Sequence, residues 1–342
     1  MWTEERLGAL LTAPSDTLTE ELPKIGGDIM ILGAGGKMGP TLALLVKNAF
    51  DAAGSKSKVY AASRFGDAKT AGGLRERGIE AIGADLLAPG AVDTLPDAEN
   101  VIFMAGRKFG TEGNECLTWA TNSLLPNLVS EKYKNSRIVV FSSGNIYPFR
   151  SPDEGGANER TAPNPVGEYA MSCLARERAF EYGSSRHGTR VCMYRLNYAV
   201  DLRYGVLRDI AAQIIEGRPI SAATPFFNCI WQGDANEAAL RCLALCESPP
   251  GVLNVTGPET VSVRRAAALL GERLNIEPIF ECGPDMRSER TALLSDAAKM
   301  HSLFGYPRVS LLTMIRWQVE WIMGGGSSLG IPTHFEERGG VF

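Results

Sequence analysis

The sequence predicts an α/β protein in which a doubly wound parallel sheet is followed by a smaller mixed α/β lobe. Between residues 28 and 200, short runs rich in Val and Ile alternate with helical stretches, which is the pattern of βαβ units. The runs are continuously apolar, as from Arg137 to Phe141, and therefore favour strands that helices cover on both faces. The chain has 342 residues, more than one hydrophobic core usually supports, so a second lobe is expected.

The same alternation locates the individual elements. We expect strands near residues 28–33, 58–62, 80–83, 100–105, 137–142 and 190–195. We expect helices near residues 37–52, 68–77, 113–132 and 165–186, and beyond residue 200 near 205–216, 234–246, 262–274 and 310–323. The predicted domain order is a helical leader at 1–27, the sheet domain at 28–200, a lobe interleaved with it at 201–323, and a Gly-rich tail at 324–342.

Composition argues against several classes of partner. Thirty-five Lys and Arg face 39 Asp and Glu, with no long basic run, so we expect no nucleic acid. The start of the chain carries Glu4 and Glu5 where a signal peptide would be basic, and no apolar run approaches the roughly 20 residues that span a bilayer. We therefore expect a cytoplasmic protein without membrane contact. The seven Cys lack a CxxC pair and the three His are scattered, so we expect no metal.

A glycine-rich turn joins the first predicted strand to the first predicted helix of the sheet domain. Gly33, Gly36 and Gly39 flank Lys37 and Met38 at this turn. Glycines allow the backbone to turn tightly and approach a pyrophosphate, whose charge the helix N-terminus then stabilises. The strand before and the helix after give the triplet the context that a lone triplet lacks. We therefore expect a Rossmann domain that binds NAD(P) at residues 28–200 and a substrate-binding lobe at residues 201–323.

The end of the second predicted strand bears on the choice of cofactor. A unit that binds NAD usually carries an acidic residue there to hold the ribose 2′-hydroxyl, whereas this strand ends in Ser63 and Arg64. A guanidinium suits a 2′-phosphate, and Lys37 adds a second positive charge. We therefore expect NADP in preference to NAD, with the alternative that Arg64 is only a solvated loop residue.

Several motifs together resemble the NAD-dependent epimerase/dehydratase family of extended short-chain dehydrogenases. The glycine spacing is similar to the family's GxxGxxG, and the stretch from Phe141 to Tyr147 is similar to its SSxxVY, in which Ser143 matches the catalytic Ser or Thr. The resemblance implies cofactor contacts by Asp85 and Leu86 after the third strand and by Ala105, Gly106 and Lys108 after the fourth. Further similar segments are Arg195–Asn197, Gln232–Asp234 and Asn254–Gly257.

The family's reaction centre adds a YxxxK pair on one helix face to the Ser or Thr. A Tyr with an ordinary pKa near 10 can exchange a proton with a substrate hydroxyl only if a positive charge favours its phenolate. Here Tyr169 matches the Tyr, which implies a role both in catalysis and at the cofactor, but Cys173 stands in the place of the Lys. Pro163 and Glu177 both match the pattern, so the alignment is not shifted.

Three interpretations of this substitution stay open. In the first, Lys108 or Arg107 supplies the missing charge to an oxidoreductase that uses Ser143 and Tyr169. In the second, other groups perform catalysis and Tyr169 only hydrogen-bonds the substrate. In the third, the chain is a cofactor-binding sensor or scaffold without turnover. Cys173 as a nucleophile is a further alternative, although a buried thiol without a neighbouring base is usually inert.

The resemblance implies hydride transfer at a hydroxyl-bearing carbon of a sugar, a sugar acid or a nucleotide-sugar. The residues expected to contact this substrate or to order the site are Arg107, Asn122, Asn145 and Asn197. Family members commonly pair two helices into a four-helix interface, so we expect a homodimer built from residues 113–132 and 165–186. The apolar residues expected on the buried faces of those helices are Leu124, Leu128, Leu174 and Phe180.

Overall fold

The structure is a computed structural model that describes residues 1–110, 112–281 and 290–341. Its centre is a seven-stranded sheet in the order β10-β6-β5-β4-β1-β2-β3, with every pairing parallel. The strands of this sheet are β1 (Ile29–Leu32), β2 (Val59–Ser63), β3 (Glu80–Gly83), β4 (Asn100–Phe103), β5 (Arg137–Ser143), β6 (Arg190–Leu196) and β10 (Gly251–Val255). The predicted doubly wound α/β fold is thereby confirmed.

Helices cover both faces of this sheet. The helices are α1 (Glu4–Thr12), α2 (Asp16–Ile25), α3 (Gly39–Ala52), α4 (Ala68–Glu76), α5 (Glu115–Trp119), α6 (Leu125–Lys132), α7 (Gly167–His187), α8 (Val206–Ile215), α9 (Gln232–Arg241), α10 (Val263–Leu274), α11 (Ala298–Phe304) and α12 (Leu311–Met323). Side chains along a strand alternate between the faces of the sheet. Ile29 and Ile31 accordingly join the core beneath α2, α3 and α9, whereas Met30 and Leu32 join the core beneath α6 and α7.

The second lobe has a separate hydrophobic core. Helices α8, α10 and α12 surround Phe227 and Trp231, and Leu7 and Leu11 of α1 complete the cluster. Two short ladders accompany these helices, and their strands are β7 (Ala199–Val200), β8 (Phe226–Phe227), β9 (Ile230–Trp231) and β11 (Val261–Ser262). Phe335 of the C-terminal tail is also buried in this cluster, so the tail is anchored to the lobe.

The sheet order reverses between β1 and β4, since β2 and β3 lie on one side and β5, β6 and β10 on the other. Ligands of open α/β sheets bind outside the carboxyl ends of the strands at such a reversal. The residues after β1, β4 and β5 are those that carry the predicted glycine, lysine and serine motifs. Within the described parts of the chain, no helix is long and apolar enough to cross a membrane.

Candidate active site

Two adjoining cavities lie at the carboxyl edge of the sheet. The glycine-loop cleft, about 540 Å³, extends from Gly33 past the end of β2 to Leu86. The serine–tyrosine pocket, about 230 Å³, contains Ser143 and Tyr169. Met104, Gly106 and Arg107, which follow β4, line both cavities. A molecule that fills the cleft can therefore present one end to the pocket.

The glycines of the loop are required by close backbone contacts. Gly33 has φ +91°, and a Cβ atom there would lie 2.5 Å from the backbone of Ala105. A Cβ on Gly39 would lie 2.4 Å from the carbonyl oxygen of Ala34, so this glycine packs α3 against the loop and lines neither cavity. Helix α3 begins without a side-chain cap, which leaves backbone N–H groups for an anion. These features fit a dinucleotide pyrophosphate.

Most of the predicted cofactor-binding residues lie in the cleft. Gly36, Ser63, Arg64, Asp85, Leu86, Ala105 and Gly106 all line it. Arg64 is exposed at the edge of the cleft, whereas Leu86 and Ala105 are buried in its wall. The structure therefore brings these expected cofactor residues into one cavity, although they come from four separate loops.

Lys37 and Met38 line the serine–tyrosine pocket and not the cleft. The Nζ atom of Lys37 donates to the carbonyl oxygen of Ala199 at 2.9 Å and lies 3.6 Å from the ring centroid of Tyr204. Burial lowers the pKa of Lys37 to about 7. The ammonium group of Lys37 is therefore directed away from Ser63 and Arg64. It cannot act together with them on a ribose 2′-phosphate.

The two hydroxyl groups of the predicted reaction centre meet in the pocket. Ser143 ends β5, and its Oγ donates to Oδ1 of Asn145 and accepts from the backbone N–H of Asn145, both at 3.1 Å. Tyr169 lies in the first turn of α7, and its hydroxyl group hydrogen-bonds with Ser143 and with Cys173. Burial raises the pKa of Tyr169 far above its usual value, Cys173 raises it further, and Arg176 and the Ser143 bond lower it. The phenol therefore needs a cation to reach its phenolate form.

Cys173 is fully buried one turn after Tyr169. Burial raises the pKa of its thiol, so the group is neutral at physiological pH and supplies no positive charge. The side chain at the position that carries a lysine in the resembled family is thus uncharged in this chain.

Lys108 extends toward Tyr169 from the loop after β4. Its Nζ atom lies 6.0 Å from the ring centroid of Tyr169 and 3.4 Å from the carbonyl oxygen of Thr333 in the tail. Burial lowers the pKa of Lys108 to about 8, while Cys173 and Asp209 oppose this shift. Lys108 is thus charged at neutral pH and loses that charge in moderately alkaline solution.

The four residues expected at the substrate have different positions. Arg107, Asn145 and Asn197 line the pocket, and the guanidinium of Arg107 donates to the carbonyl oxygen of Gly110 at 2.9 Å. Asn197 donates to Asn228 and Leu293. Asn122 lines neither cavity and is 0 % exposed, so of the two expected positions, in contact with substrate or behind the site, its position is the second.

Asn122 lies in a segment of π-helix, Ala120–Leu124, between α5 and α6. Its Oδ1 accepts from the backbone N–H of Arg107 at 2.9 Å and from Arg176 at 2.6 Å, and its Nδ2 donates to Arg107 and Ser172. π-Bulges concentrate at functional sites because they redirect side chains within a helix. Here the bulge points Asn122 at the loop after β4.

Arg176 is a pocket-lining residue that the sequence interpretation missed. It is 5 % exposed, and it donates to the carbonyl oxygen of Phe141 and to Asn122, both at 2.6 Å. The available signal was its spacing, because Arg176 follows Tyr169 by two helical turns and so shares its helix face. The expectation for the missing charge had rested on position 173 and on Lys108 and Arg107 after β4.

Comparison with known proteins supports the fold. No protein-family model and no curated protein matches the chain. Among solved structures, MoeE5 with UDP-glucose and NAD is 20% identical with a TM-score of 0.69. UDP-glucuronic acid 4-epimerase from Bacillus cereus with UDP-glucuronic acid and NAD is 18% identical with a TM-score of 0.71. UDP-glucose 4-epimerase from Thermus thermophilus with NAD is 20% identical with a TM-score of 0.68. Each match covers 87% of this chain and 99% of the other, so the chain has the predicted fold of the extended short-chain dehydrogenases.

The same structures contradict one prediction. MoeE5 and the B. cereus and T. thermophilus epimerases are in complex with NAD, so the expected preference for NADP is wrong. The position of Lys37 explains part of the error, because its charge belongs to the serine–tyrosine pocket. Arg64, exposed at the rim of the cleft, is then one solvated cation without the second positive charge on which the prediction relied.

Proposed function

We propose that the chain is an NAD-dependent enzyme that transfers a hydride to or from a hydroxyl-bearing carbon of a carbohydrate. The observation that carries this proposal is the contact between Ser143 and Tyr169 in the pocket that adjoins the cleft. Hydride transfer at a hydroxyl-bearing carbon requires an acid–base group that exchanges the hydroxyl proton, whereas a pure sensor does not require this pair. The substrates considered are a sugar, a sugar acid and a nucleotide-sugar, as in the UDP-sugar complexes of the neighbours.

Each pocket residue has a role in this reaction. When bound, NAD supplies the acceptor for the hydride. On substrate binding, the single proton of Ser143 Oγ turns from Oδ1 of Asn145 to the substrate oxygen and fixes its position, while Tyr169, as phenolate, takes the proton from that oxygen. The reverse reaction returns the proton from Tyr169 to the new alkoxide. Asn145 still orients Ser143 through its backbone N–H, which donates to Oγ.

Substitution of the two hydroxyl residues tests the proposal. The purified chain is incubated with NAD or NADH and a panel of carbohydrates, and absorbance at the reduced nicotinamide band is followed. Tyr169→Phe and Ser143→Ala should each lower turnover by about 10²- to 10⁴-fold, the usual contribution of an acid–base group. Tyr182→Phe, which changes an exposed Tyr on the same helix, should leave turnover unchanged. Undiminished turnover in both site variants would reject these roles.

A sensor that binds NAD without turnover is the second candidate. The observation that favours it is the neutral Cys173 at the position of the family lysine. This candidate predicts tight binding of NAD by calorimetry, no turnover with any carbohydrate, and the appearance of activity in Cys173→Lys. The enzyme proposal predicts turnover in the unsubstituted chain.

We also propose that the chain forms a homodimer through the helices α5 to α7. Leu124 and Leu128 are 57 % and 40 % exposed, and Met171 and Tyr182 extend the apolar surface on α7. Phe180, expected at the same interface, is buried against the sheet. Light scattering should return twice the mass of 36.9 kDa, and Leu128→Asp should return the single mass. A single mass for the unsubstituted chain at micromolar concentration would contradict the dimer.

A further inference from the structure

We infer that Arg176 supplies Tyr169 with the positive charge that the family's lysine would carry at position 173, an inference that rests on the proposed function. Arg176 follows Tyr169 by seven residues on α7, which is about two turns of helix. Helix side chains lean toward the N-terminus, so a long side chain at position 176 extends back toward Tyr169. The charge is thus provided by the same helix face from a position one turn later than the lysine.

Two hydrogen bonds fix the guanidinium group. Nη1 donates to the carbonyl oxygen of Phe141 and Nη2 donates to Oδ1 of Asn122, both at 2.6 Å. Phe141 lies two residues before Ser143 on β5, and Asn122 lies in the π segment. The cation is therefore held between the strand that ends at Ser143 and the bulge that orders the loop after β4.

The guanidinium group also lies against Gly106, a residue shared by the two cavities. A Cβ atom on Gly106 would be 2.6 Å from Nη2 of Arg176, a distance that no side chain at position 106 could keep. Gly106 lines both the cleft and the pocket. The positive charge thus lies directly beneath the junction at which a bound nicotinamide would meet the substrate.

The charge of Arg176 is not neutralised by a neighbouring acid. No carboxylate forms an ion pair with Arg176 in the part of the chain that the structure describes, and the adjacent Glu177 is paired with Arg195 at 2.6 Å. A guanidinium remains protonated at any physiological pH. Its proximity opposes burial by lowering the pKa of both Tyr169 and Cys173. This is the electrostatic effect that a lysine at position 173 would have.

Other groups that face Tyr169 cannot provide the same charge at alkaline pH. Cys173 from α7 and Ser143 from β5 are neutral, and the loop after β4 contributes two cations, Lys108 and Arg107. The guanidinium of Arg107 donates to the carbonyl oxygen of Gly110, and Arg107 is not among the groups that shift the pKa of Tyr169. The pKa of Lys108 is about 8, and the pocket-lining Lys37 has a pKa of about 7. Asp209 from the second lobe raises both of these pKa values. Above pH 8, Arg176 is therefore the charged side chain in this set that lowers the pKa of Tyr169.

The test moves the charge along the helix. Arg176→Met removes it, Arg176→Lys keeps it, and the double variant Cys173→Lys/Arg176→Met places it at the position of the family lysine. Arg178→Met is the matched control, because Arg178 lies on the same helix, exposed and paired with Glu181. We expect Arg176→Met to lower turnover by about 10²-fold or more, with at least a tenfold recovery in the double variant. The control should match the unsubstituted chain.

The pH profile separates this electrostatic role from a merely structural one. Loss of the cation raises the pKa of Tyr169, so the acid limb of the kcat profile should move to higher pH in Arg176→Met and return in the double variant. A structural role would lower the free energy of unfolding without moving the limb. If Arg176→Met does not fold, the kcat profile of Arg176→Lys is the test. A buried ammonium loses its proton as the pH rises, so the kcat of this variant should fall at alkaline pH. An unmoved profile in every folded variant would overturn the inference.

Cofactor binding separates this inference from the proposed function. Oxidised nicotinamide is cationic and reduced nicotinamide is not, so removal of a nearby cation should favour NAD over NADH. We expect the ratio of the two dissociation constants, measured by calorimetry, to shift several-fold in Arg176→Met and not in Arg176→Lys. A shifted ratio without turnover on any substrate would reject the enzyme and keep the charge assignment. An unshifted ratio with normal turnover would reject Arg176 and keep the enzyme.

Discussion

The glycine-loop cleft and the serine–tyrosine pocket lie side by side but are built in different ways. The cleft is formed mainly by backbone and strand ends in the first part of the chain, and its glycines follow the family spacing. The pocket gathers side chains from the glycine loop, from the ends of β4, β5 and β6, from α7, and from Thr333 in the tail. The comparison teaches that a cavity built from backbone and glycines follows the spacing of a known motif, whereas a cavity built from side chains of many elements depends on contacts that no local spacing describes.

The largest expected effect tests the cleft. Gly33→Ala adds a Cβ atom 2.5 Å from the backbone of Ala105 at φ +91°, a conformation that L side chains rarely adopt. Calorimetry should therefore show NAD affinity falling by about 100-fold or more, which corresponds to roughly 3 kcal/mol. Gly72→Ala in α4, where a Cβ meets nothing within 4 Å, is the control and should bind NAD normally. Equal affinity in both variants would show that the loop does not contact the pyrophosphate.

A smaller effect tests the pocket. Lys108→Met should lower turnover by about tenfold, which is less than the loss of a full acid–base group. The effect is smaller because Arg176 still supplies a positive charge beside Tyr169. Lys132→Met, on α6 beside Asp97 and lining neither cavity, serves as the control. If Lys108→Met loses 10³-fold while Arg176→Met loses nothing, the two cations have exchanged roles.

A stability measurement tests the burial of Lys37. Its pKa falls from 10.5 to about 7 on folding, so the unfolded chain binds more protons between these values and the free energy of unfolding rises with pH there. Lys37→Met removes this contribution. Between pH 7 and 9 the unsubstituted chain should gain about 1 kcal/mol more than Lys37→Met in urea titrations, after allowance for solvent screening. Lys47→Met, at the surface beside Asp51, should behave as the unsubstituted chain. An equal gain in all three would contradict the buried position.

The smallest expected effect concerns the rim of the cleft. Arg64 is exposed, so Arg64→Ala should change NAD affinity by less than about threefold, in keeping with the weak contribution of solvated charges. A loss of more than tenfold would show that the cleft closes over Arg64 when the cofactor binds.

The sequence predicted most of the fold because hydrophobic periodicity is local. The six predicted strands, 28–33 through 190–195, match β1 to β6 to within two residues at each end, and the eight predicted helices are all present. β10 was missed, since its five residues form a short run directly after Pro249 and Pro250, although the similar segment Asn254–Gly257 begins within it. The leader is two helices, because Pro14 ends α1 and the side chain of Ser15 caps α2 by accepting from Leu18.

The site was predictable only where a motif fixes the backbone. Ser143 at the end of β5 and Tyr169 at the start of α7 line one pocket, and Gly33 after β1 lines the adjoining cleft, because all three lie at the carboxyl edge of the sheet. The direction of Lys37 depends on Ala199 and Tyr204, which are more than 160 residues away along the chain. The role of Arg176 depends on Phe141 and Asn122, and sequence spacing contains no information about those contacts. The positions of the Lys37 and Arg176 side chains therefore depend on contacts with residues that are distant in the sequence, which local patterns do not predict.

The most direct test of the account is a single-turnover measurement with bound NAD. The unsubstituted chain and Tyr169→Phe are each loaded with NAD and mixed with a panel of sugars, sugar acids and nucleotide-sugars, and the reduced nicotinamide band is followed. The account predicts that at least one substrate reduces the bound NAD in the unsubstituted chain, and that the rate falls by about 10²-fold or more in Tyr169→Phe. Equal rates in both proteins, or tight NAD binding with no reduction by any member of the panel, would contradict it.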